Sequence, residues 1–256
     1  MEKSPHFPAA ATDWLTSPLG AALLTQEDRV VEEAFDGIFG EQCLQLGQWG
    51  DAKTFLRHAR TQRTAIIDQG IGPEGPATEI SAIGEFHHLP VANDSIDCVL
   101  LPHTLDFSDR PHAILREVHR VLRSDGHLVI LGFKTGGLWG LRRMIPGAAL
   151  PPGAEHMISD RRLRDWLQLL DLRIHGMTRY FFRWPLPGNR GASSQNWEQR
   201  GQRLWPELAA CYMLTAQKRV STLTPVRPRW LRKPKVVAGL AGTTNRVSRI
   251  RFDQNS

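Results

Sequence analysis

Four places in the first half of the chain carry residue types suited to holding a nucleotide-like cofactor. The stretch Leu44 to Asp51 reads LQLGQWGD, an apolar run that ends at Gly47, where the missing side chain lets a ligand approach the backbone. Asp68 ends the run TAIID about twenty residues later, the spacing of an acid that accepts from ribose hydroxyls. Glu85 and Phe86 follow a third run, where a carboxylate can accept from an exocyclic amine and a ring can cover a flat base. His103 stands just past IDCVLL and is the candidate base for an oxygen or nitrogen acceptor. Each residue also has an ordinary reading: Asp68 as a turn acid before Gln69-Gly70, Phe86 as core, His103 as a residue that orders a strand end. Their joint placement at successive run ends is the signal.

Those ends must be positioned by alternating strands and helices. Trp14 to Phe39 has apolar residues near a helical period, with Gly40 as its expected stop. CLQL (43–46) reads as a strand and AKTFLRHAR (52–60) as a helix. TAIID, TEISAI (78–83) and IDCVLL (96–101) read as further strands. Arg110 to Leu122 reads as a helix with Asp109 as N-cap and Pro111 in the first turn, closed by Ser124-Asp125-Gly126. HLVILGF (127–133) is the next strand. A Gly- and Pro-rich excursion follows, with Arg142 and Arg143 available to an anionic substrate. Ser159 or Asp160 then caps a helix that runs to Leu170. Two β runs, 172–182 and 210–220, flank a polar insert with a short helix near Trp197 to Leu204, and the final strand is expected to return as a hairpin-like partner. The alternation calls for an open parallel sheet with ligands at the strand ends.

Composition bounds the rest. A chain of 256 residues with 41% apolar and 23% charged residues can bury a real core, and no run reaches the roughly twenty apolar residues of a membrane span. MEKSPHFPAAATDW lacks the apolar stretch of a secretory signal. Cys43, Cys98 and Cys211 are far apart and lie in apolar runs, as buried thiols would, and a cytoplasmic location is expected. The net charge of +6 is uneven: the segment from Lys218 onward carries +9, the remainder about −3. Three parts are expected: a helical lead-in (1–40), a central domain (41–217) and a basic tail (218–256). The tail offers contact with RNA or another acidic surface, or is simply a solvated end.

The segment from Gly84 to Phe133, GEFHHLPVANDSIDCVLLPHTLDFSDRPHAILREVHRVLRSDGHLVILGF, resembles the core of the class I S-adenosylmethionine-dependent methyltransferases, type 11 group. The resemblance rests on Glu85, Leu89-Pro90, Ile96-Asp97, His103 to Asp106, Glu117 and the run Arg120 to Gly126. The Leu101-Pro102-His103 turn and the Gly-Leu-Trp-Gly loop at 137–140 resemble a small bacterial branch of that group. The resemblance implies a Rossmann-like α/β fold: a seven-stranded, mostly parallel sheet, helices on both faces, the last strand antiparallel. It implies S-adenosylmethionine as cofactor. Gly47, with Gln45, Leu46 and Gly50, would approach its methionine part, Asp68 the ribose, and Glu85 with Phe86 the adenine. His103 would line the methyl end.

The first motif departs from the family's acid-x-Gly-x-Gly-x-Gly: Gln45 replaces the acid and Trp49 a glycine, while Phe107 replaces the second His of the later turn. A loop shifted so that Gly50 makes the close approach, with the indole turned outward or onto the next helix, accommodates Trp49. The other arrangement puts the indole in the cofactor's place. The Asn-Pro-Pro-aromatic turn of adenine and glutamine methylases is absent. No metal is expected, because His87 and His88 would point apart on a strand. The expected activity is methyl transfer to an unidentified acceptor. The alternatives are a silent binding or regulatory module on the same fold, and an RNA-associated methylase anchored by the tail.

Overall fold

The computed structural model describes residues 7–51, 53–70, 81–137, 139–140, 151–154, 156–183, 201 and 203–219. The chain divides into two compact units, Met1–Val220 and Ser221–Ser256. The second unit, and with it all but the first two residues of the basic tail, lies outside the described residues. So do Arg142 and Arg143, most of the insert helix expected near Trp197, and the first half of TEISAI (78–80).

Seven strands form one sheet in the order β3-β2-β1-β4-β5-β7-β6. β1 (Phe39–Leu46), β2 (Arg60–Asp68), β3 (Ala82–Ile83), β4 (Ile96–Pro102) and β5 (Leu122–Phe133) pair in parallel. β7 (Cys211–Lys218) runs antiparallel to both β5 and β6 (Leu172–Tyr180), so the last strand returns as expected.

Alternation along each strand feeds two cores. Cys43, Cys98, Leu100, Val129 and Leu131 pack with α1 (Ala9–Leu15) and α2 (Pro18–Phe35). Leu44, Leu46, Val99, Leu101, Leu128 and Ile130 pack with α4 (Pro111–Val121) and α5 (Asp160–Leu169). α3 is the four-residue turn Lys53–Leu56. Side chains that alternate along a strand face opposite sides of a sheet, so each face carries its own helical layer. The three cysteines are buried and unlinked.

Several boundaries differ from the sequence expectation. The N-terminal helix is two helices, broken at Thr16-Ser17, where the Ser17 hydroxyl caps α2 by accepting from Gly20 N and Pro18 opens the first turn. Gly40 is not a helix stop. It lies in β1 against Asp97, whose Cβ would stand 2.4 Å from any Cβ added there. Asp97 can approach because of that gap, and its Oδ2 accepts from the backbone N–H of Glu41 and Gln42 while Oδ1 accepts from Arg123. Partial burial opposes its charge, but these donors outweigh it and hold the carboxyl below its ordinary range. The stretch 52–60 keeps only α3, because Arg60 already pairs with Phe39 in the sheet. Asp109 does not cap α4: Arg110 is the N-cap residue and no side chain caps it, while Pro111 holds the first turn as expected. β5 starts at Leu122, five residues before His127, with an irregular register between Ile96 and Cys98 and Asp125 at φ 65°. Ser159 caps α5.

Candidate functional site

The strand ends assemble an edge with two unlike halves. On one side, Gly47 N donates to Ile67 O at 2.8 Å, so the loop after β1 rests on β2. Asp68 is 2% exposed, and its two oxygens accept from Gln48 N (2.8 Å) and Gln69 N (2.6 Å). That acid ties the glycine loop to the end of β2. Glu85, two residues past β3, is exposed and pairs with His87 at 3.1 Å. Phe86 is fully buried, in the cluster that also holds Leu46, Ile67 and Leu89, so its ring is core here rather than an open platform for a base. Leu46 is likewise buried, and its carbonyl accepts from Thr104 Oγ1 at 2.5 Å. Glu117 and Arg120 explain two motif positions. Arg120 donates to Glu117, to the carbonyls of Leu89 and Val91 and to Asn93, while Glu117 accepts from Leu89 N, which clamps the segment after Glu85 onto α4.

The positive-φ residues of the first loop are Gly47 (84°) and Gly50 (74°), and not Trp49. Glycine is therefore present at both positions that need it, as the shifted loop requires. The indole does not turn outward, however. Trp49 is fully buried, tilted over His103 (4.9 Å between ring centroids), Phe7 (5.1 Å) and Phe107 (5.7 Å), with Phe133 edge-on at 6.2 Å. Its Nε1 donates to Glu27 Oε2 at 2.9 Å.

Glu27 is the residue that sequence reasoning missed. It lies on the buried stripe of α2 with Leu23, Val30 and Val31, and it is 0% exposed. Its Oε1 meets His103 Nε2 at 2.7 Å and accepts a longer bond from the Tyr180 hydroxyl at 3.4 Å. His103 Nδ1 meets Asp106 Oδ2 at 3.1 Å, and that same oxygen accepts from Phe133 N. Burial opposes a charge on His103, but the carboxylates of Glu27 and Asp106 outweigh it and raise its pKa to about 9. Burial pushes the Asp106 carboxyl up, against the pull of His103. The Tyr180 hydroxyl is driven well above its ordinary range by burial and by Glu27. His103 also holds φ 55°, an uncommon backbone for a non-glycine residue.

Such a cluster is expensive. Each buried ion costs several kcal/mol of desolvation before its partners repay it. Buried charges with shifted pKa values and strained backbone concentrate at functional sites. With both ring nitrogens engaged and a pKa near 9, His103 is not poised to take a proton at neutral pH, in contrast to its expected role as a base. It holds two carboxylates in place instead.

Gln45 Oε1 and Asp106 Oδ1 are among the buried side-chain atoms without a hydrogen-bond partner among the described residues. Gln45 is 0% exposed, its Nε2 donates to Gly47 O at 2.9 Å, and its Oε1 accepts from nothing among the described residues. An orphaned acceptor at this depth is costly and marks a place where a donor is expected.

Comparison with known proteins agrees with the fold. Residues 65–130 match the model of a methyltransferase-domain family. The Escherichia coli (strain K12) protein YafS, described as uncharacterised, is 29% identical over 225 residues, 86% of either chain. A Thermotoga maritima S-adenosylmethionine-dependent methyltransferase, described as a possible histamine N-methyltransferase, superposes with a TM-score of 0.54 at 16% identity, over 77% of this chain and 89% of that one. A geranyl diphosphate C-methyltransferase from Streptomyces coelicolor A3(2), solved with Mg2+, geranyl diphosphate and S-adenosylhomocysteine, superposes with a TM-score of 0.52 at 14% identity, over 85% and 91%. Residues 65–130 thus carry the methyltransferase-domain match, and the sheet order gives the chain the Rossmann-like fold shared with these S-adenosylmethionine-dependent methyltransferases.

Proposed function

We propose that this protein is an S-adenosylmethionine-dependent methyltransferase that binds its cofactor across the ends of β1 and β2 and the turn after β3. The observation that carries this reading is the orphaned Gln45 Oε1 beside the positive-φ Gly47. The ammonium of the cofactor's methionine part is a donor of the kind that acceptor lacks. Gly47 and Gly50 let backbone approach the cofactor, and Gln45 orients it. Asp68 sits where ribose hydroxyls can share its two oxygens with Gln48 and Gln69, and Glu85 is placed to accept from the adenine amine. Phe86 serves this site from beneath, by fixing the turn.

The bound cofactor supplies an electrophilic methyl group on a sulfonium, so the chain's task is to align an acceptor and exclude water. Trp49, Phe7, Phe107 and Phe133 form the aromatic wall of that end. Glu27 and Asp106, held by His103, are the carboxylates there. The acceptor is not identified. The +9 charge from Lys218 onward supports anchoring to RNA or another acidic surface.

A second reading has its own observation. The inward Trp49 ring lies between the Gly47 loop and His103, where the cofactor's methionine part would pass, and Glu27 closes over it. This favours a binding module that has kept the fold and given up the reaction. Titration with S-adenosylhomocysteine separates the two. Saturable binding that Asp68→Ala weakens supports the enzyme, and absence of binding at millimolar ligand supports the module.

A further inference from the structure

We propose that the turn after β3 is a binding site for a divalent transition-metal ion, held by Glu85, His87 and His88. The sequence Glu85-Phe86-His87-His88 is a turn and not the strand expected of it. His88 N donates to Glu85 O at 2.9 Å, and the two residues form an isolated bridge. A turn brings together side chains that a strand would send to opposite faces. The two imidazoles stand 4.8 Å apart between ring centroids rather than diverging.

One ligand atom from each of the three residues lies within 4.8 Å of the other two. The His87 Nε2 to Glu85 Oε2 distance is 3.1 Å. Ligands bonded to zinc at about 2.0–2.1 Å in a tetrahedron stand roughly 3.4 Å apart, so this pair already has the spacing and His88 needs only a side-chain rotation. His88 is exposed and can rotate without disturbing the core. The turn itself is anchored. Phe86 is fully buried between the ligands in sequence, and the Glu117–Arg120 clamp fixes Leu89 immediately after them.

Two imidazoles and one carboxylate form a borderline ligand set that suits zinc, nickel or cobalt(II) better than magnesium or calcium, which prefer all-oxygen shells. Three protein ligands leave a tetrahedral ion one open position. The site also borders the strand-end edge. Ile83 pairs with Asp68 in the sheet, so Glu85 lies just beyond the level of that acid. A carboxylate bound to an ion is withdrawn from a nucleoside, so metal and cofactor should compete for Glu85.

The test uses the full-length chain with no affinity tag. Zinc chloride is titrated calorimetrically near neutral pH, and cobalt(II) is followed by its visible absorption. The expected result is one high-affinity ion per chain, with binding weakened at least about tenfold, or about 1.4 kcal/mol, when His87→Ala and His88→Ala are combined. The pair His127→Ala and His175→Ala, on β5 and β6 with rings 6.4 Å apart, should leave binding unchanged. Unaltered binding in the His87/His88 variant, or no zinc uptake at millimolar concentration, overturns the proposal. All of these variants carry exposed or partly exposed positions, and unchanged melting curves verify their folds. Saturating zinc should also weaken S-adenosylhomocysteine binding in wild type. If that ligand does not bind at all, the cofactor reading fails, while the zinc titrations still decide the metal site.

Discussion

The two halves of the strand-end edge are built on opposite principles. The half at β2 and β3 is a backbone device: Asp68 braces a glycine loop through main-chain N–H groups, and Glu85 stands exposed beyond it. The half at β4 and β5 is a side-chain device, in which Glu27, His103, Asp106, Trp49 and Tyr180 bond to one another in a buried interior. The first half carries an exposed carboxylate, Glu85, paired with His87. The second must be rearranged before anything enters. A ligand that spans the edge therefore meets a prepared surface at one end and a closed network at the other, and the helix that closes it, α2, lies at the start of the chain.

The largest expected effect is on the closed half. Glu27→Ala strips the acceptor from Trp49 Nε1 and from the Tyr180 hydroxyl and leaves His103 with one carboxylate. Removing one partner of a buried ion pair costs about 3–5 kcal/mol, so thermal or chemical denaturation should show a large loss. Glu85→Ala, on the exposed half, should stay within about 0.5 kcal/mol of wild type. Equal losses at the two positions would erase the distinction between the halves.

The pH dependence belongs to the closed half as well. The folded pKa of His103 is about 9, above the ordinary 6.5. A raised folded pKa stabilises fully below the unfolded value, and the contribution disappears as pH rises through the folded value. At about 1.4 kcal/mol per pH unit, the loss between neutral pH and pH above 9 is on the order of 3 kcal/mol. Melting temperature should fall over that window in wild type and fall less in His103→Gln. Parallel curves for the two proteins would remove the charge from His103.

The open half is read by affinity. Asp68→Ala and Glu85→Ala should each weaken S-adenosylhomocysteine by about 1–3 kcal/mol, the loss of a hydrogen bond to a charged group, as measured by calorimetry. Because Asp68 also braces the loop, its variant should lose stability too, and the Glu85 variant should not. The smallest effect is expected from truncation after Val220. Lys218 bonds Asp94 and the carbonyls of His119 and Leu122, and these contacts are retained. Melting temperature should hardly move. RNA binding by the full chain should fall steeply with salt and be mostly lost on truncation. Equal RNA binding by both proteins would exclude the tail as an anchor.

The legibility of the sequence follows the same division. Gly47, Asp68 and Glu85 could be placed because each ends a short apolar run, and run ends in an alternating α/β chain converge on one edge. The parallel sheet could be expected from that alternation, and its returning last strand from the two final β runs with no full-length helix between them and from the family resemblance. The closed half was hidden because its centre joins residues 76 positions apart, and no local pattern pairs Glu27 with His103. One signal was present: Glu27 interrupts the apolar stripe of α2 between Leu23 and Val30, where a carboxylate is tolerated only with buried partners. The His87–His88 turn was misread for a related reason. Alternation assigns neighbouring residues to opposite faces only if the segment is extended, and β3 stops at Ile83.

The most direct test compares S-adenosylhomocysteine with adenosine by calorimetry, on wild type and on Trp49→Gly. If Gln45 and Gly47 hold the methionine part past the indole, wild type should prefer S-adenosylhomocysteine to adenosine by at least tenfold, about 1.4 kcal/mol, and Trp49→Gly should bring no gain. The contradicting result is a wild type that binds the two ligands with similar affinity, with Trp49→Gly binding S-adenosylhomocysteine at least tenfold more tightly and adenosine unchanged. That outcome would show that Trp49 stands in the cofactor's path, as the second reading has it.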